Sequence, residues 1–196
     1  AVLPPTRSYS AIAGDTQANE AVLFGGSPAF PSAPGALLED TWVFDGSSWQ
    51  QRTPANHPSA RAGHSLAYDP IRDRIVLFGG ADANGARTDT WEWDGNNWLP
   101  TANDPQVPQG SLAFDPAVQQ VVLFPNSFAT ASGTATWIYT GSTWIAMATD
   151  VTQAHPAAAL GAFQGQLLLA GRSRLLRFHL LDAQLAALGV ACSPAA

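Results

Sequence analysis

Residues 73–98 read DRIVLFGGADANGARTDTWEWDGNNW, and the chain repeats this pattern on either side. EAVLFGG (20–26) is followed by DTWVFDGSSW (40–49), and QVVLFPN (120–126) by ATWIYTGSTW (135–144). A tandem repeat decides architecture before any single residue does, because each copy is one supersecondary unit that buries its apolar face only by stacking on its neighbours. The apolar cores sit at Val22, Val76 and Val122, and again at Leu168 in LLLAG (167–171). The paired tryptophans are Trp42 and Trp49, Trp91 and Trp98, Trp137 and Trp144, always seven residues apart. Upstream, RSYSAIAGD (7–15), RAGHSLAYD (61–69) and VPQGSLAFD (107–115) fall in the same phase. The fourth copy carries AAALGAFQGQLLLAG (157–171) in the expected register, but RLLRFHLLDAQLAAL (174–188) replaces its tryptophans.

Each copy reads as four short strands, in the second copy about 63–69, 74–79, 89–94 and 97–101. Val, Leu, Phe and Trp bounded by Gly, Asp, Asn and Pro are strand chemistry. The Asp-Gly steps in VFDGSSW and WEWDGNNW predict type I′ hairpins, and DPIRD (69–73) and DPAVQ (115–119) predict the other tight turn. Only 172–188 offers a helical alternative, and its alignment with the other copies favours strands. The fold class is all-β.

These residues resemble the kelch-repeat, galactose-oxidase-like family of β-propellers. The matching features are Gly79-Gly80 after Ile75-Val76-Leu77-Phe78 with Trp91 and Trp98 downstream, and Gly25-Gly26 with Trp42 and Trp49. The third copy departs from the pattern with Pro125-Asn126 in place of the glycine pair. The likeness is nearest to bacterial secreted kelch-like arrays. It implies a β-propeller of four four-stranded blades, about 7–53, 61–102, 107–148 and 154–189, with a tail at 190–196. Four blades either close a small ring, which the completeness of the first and last copies favours, or form part of a larger propeller. It also implies a secreted, periplasmic or cell-surface location.

Composition narrows the partners. The chain has 196 residues, enough for one domain with a sizeable core. Its nine basic residues are all Arg, set against fifteen acids for a net charge of −6, and no basic cluster invites nucleic acid. No apolar run approaches the ~18 residues of a membrane-spanning helix. The single cysteine, Cys192, excludes an intrachain disulfide and a multi-cysteine zinc site.

The chemistry-bearing residues mostly recur, and recurrence ties them to the scaffold. Six of seven tryptophans lie in the two aromatic columns, where packing between units explains them better than sugar stacking. Asp45 and Asp94 fall in turns and Asp40 and Asp89 just ahead of the tryptophan strands, as capping requires. The sialidase Asp-box fails because Asp and Gly are adjacent in DGSSW and DGNNW. His64 begins a strand, and His57 and His155, each followed by Pro, lack a third metal ligand. The copper site of the oxidase on this fold needs paired His, two Tyr and a Cys–Tyr cross-link. Tyr9, Tyr68, Tyr139 and the distant Cys192 do not supply it, and no Ser/His/Asp arrangement emerges. The expectation is therefore no enzyme, no cofactor and no metal.

What differs between copies is the connection between second and third strands (27–39, 81–88, 127–134 and about 172–174) and the linkers between copies (53–60, 102–108, 148–156). Variable loops on a rigid repeated scaffold concentrate binding residues. The longest, SPAFPSAPGALLE (27–39), is proline-rich and carries Phe30, Leu37 and Leu38. Arg7 and Arg61 align at the starts of the innermost strands, where they either receive an acidic group or, as favoured here, pair with Asp or linker carbonyls. The candidate partner-binding residues are Phe30, Leu37, Leu38, Arg7 and Arg61. The expected partner is another protein, such as a subunit of a larger assembly, with a glycan as the alternative.

Overall fold

The computed structural model describes residues 2–28, 36–101, 105, 107, 109–125 and 136–147, together with the strand backbone of 157–163, 166–171 and 175–177. The chain is all-β among these residues. Three four-stranded antiparallel sheets follow one another. The first contains β1 (Ala11–Asp15), β2 (Glu20–Gly26), β3 (Leu38–Phe44) and β4 (Trp49–Arg52). The second contains β5 (Ser65–Asp69), β6 (Arg74–Phe78), β9 (Thr90–Trp93) and β10 (Trp98–Pro100); a small hairpin, β7 (Ala81–Asp82) and β8 (Gly85–Ala86), rises between β6 and β9. The third contains β11 (Gly110–Asp115), β12 (Gln120–Pro125), β13 (Thr136–Tyr139) and β14 (Trp144–Met147). A three-stranded sheet of β15 (Ala157–Phe163), β16 (Gln166–Gly171) and β17 (Leu175–Arg177) ends the described chain.

Register confirms the alignment of the first three copies. Ala13 pairs with Val22, Ala67 with Val76 and Ala113 with Val122. Phe44 pairs with Trp49, Trp93 with Trp98 and Tyr139 with Trp144. The fourth copy departs from the expected register. Its Leu168 pairs with Gly161 across a hairpin closed by Phe163 and Gln166, a turn of two residues where the others use four. The shorter turn slides one strand along the other.

Strand alternation gives each of the first three sheets two apolar faces. Val22, Phe24 and Val43 of the first sheet pack on Leu66, Ile75, Leu77, Trp93 and Trp98 of the second. On the reverse face of the second sheet, Ala67, Val76 and Phe78 pack on Leu112, Val121, Leu123, Tyr139 and Trp144 of the third. The first strands β1, β5, β11 and β15 lie side by side in that order. Closure of this series into a ring is not seen among the described residues.

Both hairpin types are capped by carboxylates. Asp15 Oδ1 accepts from the amides of Gln17 and Ala18, and Asp69 Oδ1 from those of Ile71 and Arg72. The last turn residue is left-handed in each of the first three copies, as Asn19, Asp73 and Gln119. The Asp-Gly turns are not type I′. Gly46 and Gly95 have positive φ but Asp45 and Asp94 do not. Each Asp carboxylate accepts two amides ahead of it, Asp45 from Ser47 and Ser48, and Asp94 from Asn96 and Asn97. This local bonding holds Asp in an ordinary conformation and leaves the left-handed position to glycine.

Candidate functional site

The β2–β3 connections and the linkers between sheets emerge at one end of the sheets, and the tight hairpins at the other. The backbone at the connection end is stitched first within copies and then between them. Ser8 and Ser27 exchange hydrogen bonds, as do Ala62 and Ala81. The Gly26 amide donates to Arg61 O, and the Arg61 amide to Leu38 O.

Arg7 and Arg61 anchor two copies of one cluster here. Arg61 is buried, and its guanidinium meets Asp89 through two bonds, Nη1 to Oδ1 at 2.6 Å and Nη2 to Oδ2 at 2.8 Å. Its Nη1 also donates to Gly79 O. Asp89 Oδ2 accepts a further bond from Trp91 Nε1 at 2.8 Å. Arg7 repeats this with Asp40 (2.7 and 2.8 Å), Gly25 O and Trp42 Nε1. The fork of guanidinium donors matches two carboxylate oxygens and one carbonyl. Burial pushes the Asp40 and Asp89 carboxyls up. The bonds from Arg7 and Trp42 at Asp40, and from Arg61 and Trp91 at Asp89, outweigh it and hold both below the ordinary carboxylate value. Both arginines thus take the paired reading, and Arg61 offers no donor surface at this end.

Gly25 explains part of the glycine-pair motif. Its φ is +57°, and an added Cβ would lie 2.7 Å from Arg61 O. Gly80, with φ +86°, would meet the backbone of Ala62 and His64 at 2.8 Å. The motif therefore marks a close approach between backbone segments, with no ligand cradle implied.

His64 lies between the first and second sheets. Its Nε2–H donates to Phe24 O at 3.1 Å, and its ring meets Phe24 edge-on. Burial, reinforced by the Arg61 charge and opposed by the Phe24 bond, lowers its pKa to about 4. Nδ1 is buried without a partner. This is a neutral inter-sheet strut rather than a metal ligand. Among the described residues, no group of three or more His, Cys, Asp or Glu is placed to hold a metal ion.

Among the other candidates, Leu37 and Leu38 are half-buried, and Leu38 already belongs to β3, opposite Gly26. They form the root of the long loop. Phe30 lies outside the described residues, as do His155 and Cys192. None of the seven tryptophans is exposed: Trp42, Trp93, Trp98 and Trp144 are buried, and Trp49, Trp91 and Trp137 half-buried.

Two features of this end escape a reading of motifs. One is the β7–β8 hairpin, where Asp82 accepts from Ser59 Oγ and Arg87 Nε and so ties the hairpin to the linker. Its signal is the Asn84-Gly85 step, a hairpin dipeptide. The other is Tyr9. It sits at φ +56° where the second copy has Gly63 at φ +71°, and it is 54% exposed. A bulky residue in the left-handed region is uncommon and costs ~1 kcal/mol or more. Only aligning the copies position by position exposes this substitution.

The chain matches no protein-family model and no curated protein. No helix among the described residues is long and apolar enough to cross a membrane.

Proposed function

We propose that the chain is a non-enzymatic protein-binding or scaffold module, built as consecutive blades of a kelch-like β-propeller, that engages another protein through its connection end. The observation carrying this reading is that the repeated polar residues are consumed by the scaffold. Arg7, Arg61, Asp40 and Asp89 neutralise one another, and His64 is buried. What is left accessible at the connection end differs between copies: Tyr9, the Leu37–Leu38 root of loop 27–39, and the β7–β8 hairpin. An exposed aromatic on strained backbone beside a proline-rich loop suits a protein contact better than a reaction. The glycan alternative has less to rest on at the tryptophans, four of which are buried and three half-buried. A secreted or cell-surface setting fits this role.

The test is affinity capture from secreted and cell-surface fractions. The intact chain serves as bait, compared with Tyr9→Ser and with a chain whose residues 28–36 are replaced by a short Gly-Ser linker. Both changes should abolish retention of a specific protein. Equal retention by all three baits, or metal-dependent turnover by the purified protein, would sink the assignment.

A further inference from the structure

The two inter-sheet contacts are made in the same way. Trp98 of the second sheet donates its indole N–H to Thr41 Oγ1 of the first at 3.0 Å, and packs edge-on against Phe24. Trp144 of the third sheet donates to Thr90 Oγ1 of the second at 2.9 Å, and packs edge-on against Phe78. Phe24 and Thr41 are cross-strand partners, as are Phe78 and Thr90. Each contact therefore has a leading face, with a Phe–Thr pair, and a following face, with a tryptophan.

The first sheet carries a following face as well. Ile12 aligns with Leu66 and Leu112, which are 8% and 5% exposed, yet Ile12 is 55% exposed. Leu23, Phe44 and Trp49 are half-buried where their counterparts in the second and third sheets are buried: Leu77 and Leu123, Trp93 and Tyr139, Trp98 and Trp144. Trp42 alone is already buried, in the Arg7–Asp40 cluster. Trp49 has no Thr acceptor among the described residues.

From this we infer that the outward face of the first sheet docks one kind of partner: a further antiparallel sheet of this same repeat, not contained in residues 1–196, whose Thr hydroxyl accepts from Trp49 Nε1 and whose Phe meets the Trp49 ring. The chain's own fourth sheet does not match. The cross-strand pair at the leading position there is Ala170 with Leu175, neither Phe nor Thr. The leading faces of the first two sheets are already filled by Trp98 and Trp144.

A chain lengthened by a second copy of residues 7–60, placed directly before Arg7, supplies such a sheet with its native linker. Acrylamide quenching of Trp49, read as the difference from the matching Trp49→Phe chain, should fall to the level of the buried Trp98, and Tm should rise by several degrees. Thr41→Val in the added copy alone should lose part of that rise. Ile12→Asp at the original position should lower Tm in the lengthened chain and leave it unchanged in the original one. Unchanged quenching, a lengthened chain melting below the original, or indifference to the Thr41→Val change each overturns the inference. So does a dimer of the original chain that buries Trp49, since the occupant is then a second copy.

Discussion

Arg61 and Asp89 show how much a repeat reveals when it varies. The second copy has Arg61, Gly79 and Asp89, and the third has Val107, Pro125 and Ala135 at the same steps. The guanidinium and its carboxylate are lost together while the tryptophan stays as Trp137, and Val107 is buried. A buried guanidinium without its carboxylate is an uncompensated charge, whereas an apolar pair of suitable volume leaves none. Asp89→Ala alone should therefore cost about 3 kcal/mol, the usual penalty for breaking one side of a buried pair. Adding Arg61→Val should recover part of that loss, giving a coupling of opposite sign to the single effects in a double-mutant cycle. Urea unfolding of the four chains measures it; simple additivity would show that the pair stabilises nothing beyond its separate contacts. The arginines were legible as candidates from their aligned positions. Their partners were harder to assign, because Asp40 and Asp89 also fit a capping role.

Among elements, the strands were the most legible part of the chain. The tryptophan spacing, the VLF cores and the DP turns place the four strands of the second sheet to within about two residues, because each copy repeats the evidence of the others. Turn geometry was less legible. Asp-Gly suggests type I′, but the hydrogen bonds from residues 47 and 48 to the Asp45 carboxylate decide otherwise. The fourth copy misleads because its hairpin is two residues shorter, a difference that apolar patterning does not record. The Trp–Thr bonds between sheets were invisible for a related reason: pairing across sheets leaves no periodic trace. They make a prediction about two tryptophans that look equivalent in sequence. Trp98→Phe leaves a buried Thr41 hydroxyl without its donor and opens space beside Phe24. It should cost about 2–3 kcal/mol from lost packing and the orphaned hydroxyl. Trp49→Phe, on the open face, should cost less than about 1 kcal/mol, as substitutions away from a packed core do. Denaturant midpoints of the two variants give the comparison, and equal losses would mean that the two faces are packed alike.

At the scale of the whole molecule, three shifted groups act in one direction on acidification. His64 stays neutral in the folded chain because burial and Arg61 lower its pKa from 6.5 to about 4. Between those values the unfolded chain binds a proton that the folded chain does not, so stability rises with pH. Its contribution is complete above about pH 6.5 and is lost as pH falls toward about 4, amounting to about 2 kcal/mol between pH 7 and pH 4.5 by linkage. Asp40 and Asp89 act lower down. Their folded pKa values lie below 3.8, so their contribution is complete above that value and is lost only as pH falls through it. The two windows separate the groups. His64→Gln keeps an N–H able to donate to Phe24 O but removes the titration. The native chain should lose about 2 kcal/mol of unfolding free energy between pH 7 and pH 4.5, and His64→Gln much less, while both fall together below about pH 4. Since His64 bridges the first two sheets, its protonation should part them first. Hydrogen exchange should then rise in β2 and β5 ahead of β12 and β13 as pH drops from 7 to 4.5. A native chain whose stability is flat across that interval would mean that His64 is solvated in the folded protein, and that the contact between the first two sheets is looser than the packing of Phe24, His64 and Trp98 requires.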